Sequence, residues 1–261
     1  MQNKPHVDVV ECKSIGEAVD YVASLHIRSL PETLWFRGMT NNEYDLRPSI
    51  YRGQSNYNES KMFATFIDFG VHYPEVKGLE GWDCYIAGQH YGIPTRLLDW
   101  TESLTHAIFF AFDGWSEDST PVNKPCIWVM NPSRFNLTVG ESTQLPGIKD
   151  KHLGEWEACV FDPTSSLPEH PIAFRPRRSN KRIVAQHGMF TVHGSSDNCL
   201  TRFVVQNSTN IVPSDVMTRI DFVGFSNSRV VSCLKVLGMT RSAVYPDVVN
   251  FARSIKESRK F

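Results

Sequence analysis

The run Gln89-His90-Tyr91-Gly92-Ile93-Pro94-Thr95-Arg96-Leu97-Leu98-Asp99-Trp100-Thr101-Glu102-Ser103 sets ten side chains that ionise or hydrogen-bond between two apolar segments. Before it, residues 79–91 carry the pattern of a helix. After it, Leu104 to Phe112 (LTHAIFFAF) is apolar almost all round, which predicts a buried helix. Thr101 or Ser103 is placed to cap that helix. Pro94 disfavours helix just before it, so Ile93 to Trp100 is predicted to be extended. Charges that enter a core in this way must be paired or cost several kcal/mol, and Arg96 and Asp99 can satisfy each other. Two roles stay open for the stretch. It is either a buried network that fixes the architecture, or a pocket wall with Tyr91 for stacking, Arg96 for anion contact, and Thr95 and Thr101 as donors.

Upstream, Thr33-Leu34-Trp35-Phe36 reads as a short strand ending at Arg37-Gly38. An arginine there offers five donors in a planar fork suited to phosphate or carboxylate, and Gly38 permits close approach to the backbone. Arg37 is therefore either a ligand-binding arginine or half of a buried ion pair. Residues 14–27 have helical spacing, and Ser14 with Glu17 resembles a capping box. Residues 58–73 also read as helix, separated from 79–91 by Pro74.

Downstream, Cys126 to Met130, Ala158 to Phe161, Ile172 to Phe174, Met189 to Val192 and Leu200 to Val205 read as strands, with 133–157 polar and unassigned. Ser228 to Leu237 and Val248 to Lys256 read as helices. Arg182 to Phe190 predicts a turn or bulge at Gly188 that leads into a strand. Gln186 could read an amide or a ribose hydroxyl, or cap a strand edge. Mostly helix first and mostly strand later predicts an α+β fold: a single globular domain, a helical N-terminal half and a mixed or antiparallel β core.

The chain has 261 residues and a net charge of −1, so no long-range field draws in nucleic acid or membrane. Local nucleic-acid contact stays open, because Arg175, Arg177, Arg178, Lys181 and Arg182 form a basic run that is otherwise a solvated loop. Six cysteines lie too far apart for a C-x-x-C pair, and Cys84, Cys126, Cys159 and Cys233 read as buried thiols. The N-terminus lacks an apolar signal segment and no run of 18 apolar residues occurs, which predicts a cytoplasmic protein without membrane association. No paired-histidine spacing predicts a metal, and no phosphate loop or nucleophile elbow occurs. His152 and His170 lie in polar stretches and read as solvated.

Together Phe36-Arg37-Gly38, Leu46-Arg47-Pro48-Ser49 with Arg52, the run Gln89 to Thr101 with Ala107 to Ala111, Arg182 to Phe190, and Tyr245-Pro246-Asp247 resemble the FRG domain family. The resemblance implies an N-terminal helical extension over 1–29 and an FRG domain over 30–261. The family has been described mainly as a domain of unknown function. A second resemblance, to ADP-ribosyltransferases, starts from the apolar strand that ends in Arg-Gly. It implies that Arg37 holds the phosphates of NAD, that Thr95 to Ser103 is the hydroxyl and aromatic site, and that Gln186 stands where that class has a catalytic Glu.

That second resemblance implies a site with Arg37, Asp99, Glu102 and Gln186 as catalytic candidates. Arg37, Gly38, Gln89, His90, Tyr91, Thr95, Arg96, Thr101 and Ser103 would bind the nucleotide. Gln186 is neutral, which leaves Asp99 or Glu102 as the acid, or else a site that binds without turnover. The implied function is ADP-ribosyl transfer to a protein or nucleic acid, or NAD hydrolysis, with toxin or anti-phage roles. The alternatives are a non-catalytic nucleotide- or nucleic-acid-binding module and a phosphoester hydrolase using His90 and Asp99.

Overall fold

The computed structural model describes residues 7–29, 33–52, 57–115, 123–140, 143–162, 164–196, 199–208 and 210–258. Its strands are β1 (Asp8–Cys12), β2 (Trp35–Met39), β3 (Leu97–Thr101), β4 (Cys126–Met130), β5 (Ile172–Phe174), β6 (Gly188–Val192) and β7 (Met217–Phe222). They form one sheet in the order β1-β7-β4-β2-β3-β6-β5. β1 lies parallel to β7 and every other pair is antiparallel, so the fold is α+β with a mixed sheet, as the sequence predicts.

The helices of the first half are α1 (Ile15–Ser29), α2 (Glu59–Gly70), α3 (Gly81–His90) and α4 (Leu104–Ala111). Those that follow are α5 (Pro132–Thr138), α6 (Lys151–Phe161), α7 (Lys181–Gln186), α8 (Leu200–Asn207), α9 (Pro213–Val216), α10 (Asn227–Val236), α11 (Arg241–Val244) and α12 (Val248–Ser258). The predicted cap of α1 forms: Glu17 N donates to Ser14 Oγ at 3.1 Å, and Lys13 N donates to the Glu17 carboxylate at 2.7 Å. Ser103, not Thr101, caps α4, accepting from His106 N. The N-terminal segment contributes a strand as well as a helix, and Cys12, Ile15, Ala18 and Val22 join the main core.

Two predicted strands are helices. Ala158 to Phe161 closes α6, where Leu153, Trp156 and Val160 recur at helical spacing and are buried. Leu200 to Val205 lies in α8, which buries Leu200, Phe203 and Val204. Apolar runs this short fit either period until a partner surface selects one. The turn placed at Gly188 lies one residue earlier. Lys181–Gln186 is helical, His187 ends it in the left-handed conformation at φ 49°, and Gly188 already belongs to β6.

Alternation along the strands sorts the core. On one face Trp35, Leu98, Trp100, Trp128 and Met130 form a continuous cluster. The other face carries two separate clusters. Phe36, Ile127 and Ile220 pack with α1 and α4, while Leu97, Phe174 and Val192 pack with α3 and α6. The divide falls between β2 and β3, whose ladder has a single register pair, Phe36↔Thr101, against five for β2 with β4 and five for β3 with β6. The sheet parts along this seam, and the seam holds the cavity described next. Among the described residues, no helix is long and apolar enough to cross a membrane.

Candidate functional site

A cavity of about 280 Å³ occupies the seam. Phe36 and Phe110 wall it from one cluster, and Ile86, Ile183 and Phe190 from the other. Its polar groups are Arg37, Gln89, His90, Asp99, Arg182 and Gln186. Thr101 and Tyr245 complete it. The structure thus brings together, from four separated segments, most of the residues that the sequence singled out.

Arg37 and Asp99 meet where the β2–β3 ladder stops. Arg37 Nη1 donates to the main-chain carbonyl of Asp99 at 2.5 Å and lies 3.7 Å from its carboxylate. The Arg37 side chain is 17% exposed and that of Asp99 62%, so the cation forms the wall and the anion the mouth. Burial lowers the Arg37 pKa, the Asp99 charge counteracts this, and Arg52 is near enough to lower it further. Among the described residues, Arg37 Nε is buried without a hydrogen-bond partner. An unmet donor on a guanidinium is costly unless something accepts from it.

Gln89 fixes Asp99 in turn, its amide donating to Asp99 Oδ1 at 2.7 Å, while its carbonyl accepts from Thr95 Oγ1 at 2.5 Å. Thr95 is fully buried and supports the site without lining it. On the opposite wall Arg182 Nη1 lies 3.0 Å from His90 Nδ1, and its guanidinium sits 4.9 Å from the Tyr245 ring centroid. Burial and then Arg182 lower the His90 pKa, against the opposing charges of Asp247 and Asp99. Tyr245 donates to Asp113, which also pairs with Arg241; burial and Asp113 push the Tyr245 hydroxyl up to about 12.

Several expectations are corrected. Arg96 does not pair with Asp99. It donates from Nε to Glu59 Oε2 at 2.5 Å and from Nη1 to Tyr51 and, at 3.0 Å, to the carbonyl of Gly194, behind the strand and away from the cavity. Tyr85 completes that network, donating to Glu59 and accepting from Arg96 N. Gly38 is required by the protein itself: a Cβ there would stand 1.9 Å from the carbonyl oxygen of Ala107, so α4 makes the close approach. Gln186 donates to the carbonyl of Val244 at 3.0 Å, tying α7 to α11.

Glu102, Ser103 and Tyr91 lie outside the cavity lining. Glu102 faces Arg178 at 3.8 Å, Ser103 Oγ caps α4 and contacts His106 Nδ1 at 2.8 Å, and Tyr91 borders a separate apolar groove. His90 and Asp99 are held by different partners, Arg182 and Gln89, and do not form the base-and-orienter pair of a hydrolase. His170 is exposed, as expected, whereas the side chain of His152 lies outside the described residues. Cys159 and Cys233 are half-buried rather than buried, while Cys12 and Cys199 join Cys84 and Cys126 in the interior. Sequence reasoning missed Arg182 and Tyr245 as wall residues. Their sequence signal was membership of short motifs more than 60 residues apart, with Arg182 also ending the basic run. Among the described residues, no group of three or more His, Cys, Asp or Glu is placed to hold a metal ion.

No curated protein and no solved structure matches the chain. A family model describing the FRG domain matches residues 32–120, about a third of the chain, and stops before Gln186 and Tyr245. Residues 32–120, which supply Arg37, Gly38 and the whole run from Gln89 to Ser103, are thus the part of the chain that is similar to the FRG domain.

Proposed function

We propose that the seam cavity binds NAD and that the protein breaks its nicotinamide–ribose bond, passing ADP-ribose to water or to a macromolecular acceptor. The observation that carries this reading is the Arg37–Asp99 pair. A buried guanidinium with an unmet Nε donor suits a phosphate, and a solvent-facing carboxylate lies 3.7 Å from it. Arg182, which meets the His90 and Tyr245 rings and, among the described residues, makes no ion pair with a carboxylate, supplies a second cation. A volume of about 280 Å³ is at the low end for ligand sites, so the cavity takes one half of a dinucleotide and leaves the rest at the mouth.

In the proposed reaction the bond from ribose C1 to the nicotinamide nitrogen breaks and its electron pair leaves with nicotinamide. The acceptor oxygen or nitrogen bonds C1 and gives up its proton to solvent water, while nicotinamide, having taken the electron pair, leaves neutral. Asp99 faces the positive charge that grows on the ribose, the task for which Gln186 is unsuited, since its amide is neutral and engaged with Val244. Glu102, paired with Arg178 outside the lining, is not assigned that task. An intracellular setting, where NAD is present, belongs to this reading.

The test is incubation of the pure protein with NAD, following free nicotinamide and any mass gained by protein or nucleic acid. Release that falls by about 100-fold or more in both Arg37→Ala and Asp99→Asn supports the reading. Absence of release together with absence of NAD binding by calorimetry overturns it.

A further inference from the structure

Helix α3 has a basic companion along most of its length. At its first turn Asp83 accepts from Arg177 Nη1 at 3.3 Å and from Ser179 Oγ at 2.7 Å. At its last residue His90 meets Arg182 at 3.0 Å. The segment from Arg177 to Arg182 therefore follows the helix from Asp83 to His90, over about 10 Å. Arg175, Arg177, Arg178, Lys181 and Arg182 put five cations here, against two carboxylates, of Asp83 and Glu102, that lie within pairing distance among the described residues. Arg177 and Arg178 keep 53% and 67% of their side chains exposed despite those pairs. In a chain of net charge −1 this is a strictly local concentration.

The ridge ends at an aromatic groove. The His90 ring meets the Tyr91 ring edge-on at 4.8 Å, and Tyr91 opens onto a groove of about 750 Å³ between α2 and residues 91–94. Tyr57, Phe69, Tyr73 and Tyr91 border the groove and are 41%, 68%, 62% and 54% exposed. Among the described residues Lys61 is the one charged side chain in its lining. Cations in a row with rings at the end are what a flexible polyanion with free π faces requires. A duplex keeps its base faces stacked, an acidic peptide would leave the four rings unused, and a lipid surface requires its apolar anchors on a protruding face rather than in a groove.

We infer that this edge binds single-stranded nucleic acid, its phosphates on Arg175 to Arg182 and its bases on the groove rings. The path passes the cavity mouth, since Arg182 and His90 line both. The inference stands apart from the NAD reading, because it concerns binding in the absence of NAD.

The experiment is fluorescence anisotropy with a labelled 20-nucleotide oligo-dT and a duplex of equal length, at a series of salt concentrations and without NAD. The variants are Arg177→Gln/Arg178→Gln/Lys181→Gln and Phe69→Ser/Tyr73→Ser, each checked for folding by thermal melting. Oligo-dT is expected to bind more tightly than the duplex, with affinity falling as salt rises. The triple variant is expected to lower the slope of log affinity against log salt by about 2, since each lost phosphate contact contributes about 0.7. The double variant is expected to weaken oligo-dT at least fivefold and to leave the slope unchanged. Absence of oligo-dT binding at low salt, equal affinity for the duplex, or binding only to phosphatidylserine vesicles overturns the inference. None of these three outcomes needs a variant.

Discussion

The guanidinium of Arg37 bridges the main chain and the side chain of one residue, with Nη1 2.5 Å from the Asp99 carbonyl and 3.7 Å from its carboxylate. The carbonyl contact replaces strand pairing beyond Phe36↔Thr101, and the carboxylate contact keeps a buried cation compensated. Arg37 thus both opens the seam and furnishes it. Asp99→Asn is expected to keep the contact to the main chain and lose the charge. NAD affinity measured by calorimetry should change less than about threefold, while turnover falls about 100-fold. A parallel loss of affinity and turnover would assign Asp99 to binding alone.

Gly38→Ala should destabilise the protein by at least about 3 kcal/mol, because the new methyl would stand 1.9 Å from a helix carbonyl that has little room to move. The check is a denaturant melt. An unchanged midpoint would mean that α4 lifts away from β2 without cost.

Arg96→Met should cost about 3–5 kcal/mol, since it leaves Glu59 buried without its cation. Ligand affinity of the folded fraction should be unchanged, because Arg96 points away from the cavity. Burial already raises the Glu59 pKa, and Arg96 counteracts that rise. Removing Arg96 should push it higher, so the variant should lose stability more steeply than the parent as pH rises above the unfolded carboxyl value of about 4.3. Equal pH slopes in the two proteins would refute this.

His193 is 2% exposed, and burial next to Arg37 and Arg96 takes its pKa from 6.5 to about 3. A depressed base contributes stability above its unfolded pKa and loses it as pH falls toward the folded value. Between pH 7 and pH 5 this group alone should remove about 2 kcal/mol. His90 and His106, also lowered, act in the same direction. Denaturant melts of His193→Gln should show a pH dependence over this window that is shallower by that amount, whatever its effect at pH 7.

Under native conditions iodoacetamide should label Cys159 and Cys233 and spare Cys12, Cys84, Cys126 and Cys199, which are buried. Cys126 is the least reactive, its thiol pushed up to about 12 by burial and then by Asp221. Intact mass before and after denaturation reads the count directly. Rapid native labelling of Cys126 would show that the sheet opens at β4.

Local chemistry was legible in the sequence and long-range partnership was not. The Ser14–Glu17 cap, the buried α4 and the β4 run follow from spacing within a few residues. So does the convergence of the polar motifs, because side chains of that kind require company. The partner of Arg96 was beyond reach, since Glu59 lies 37 positions earlier on a helix whose facing side only the fold decides. For Gln186 the reading as an amide that caps a backbone group matches the bond it makes, but the acceptor, Val244, lies 58 positions on and could not be named. Leu200 to Val205 looked like a strand because six residues do not establish a period, and the surface that makes α8 a helix is supplied by Phe135.

The strand order has a consequence for how such a chain can be made and shortened. β2 and β3, the strands within residues 32–120, share one rung with each other and five each with β4 and β6, both made later. A ribosome that has released residue 120 has produced two strands with their outer edges bare, and the parallel pair β1–β7 must wait until residues 217–222 emerge. The part of the chain that sequence comparison recognises is therefore not a part that can stand alone. A fragment ending at residue 120 should aggregate through those edges.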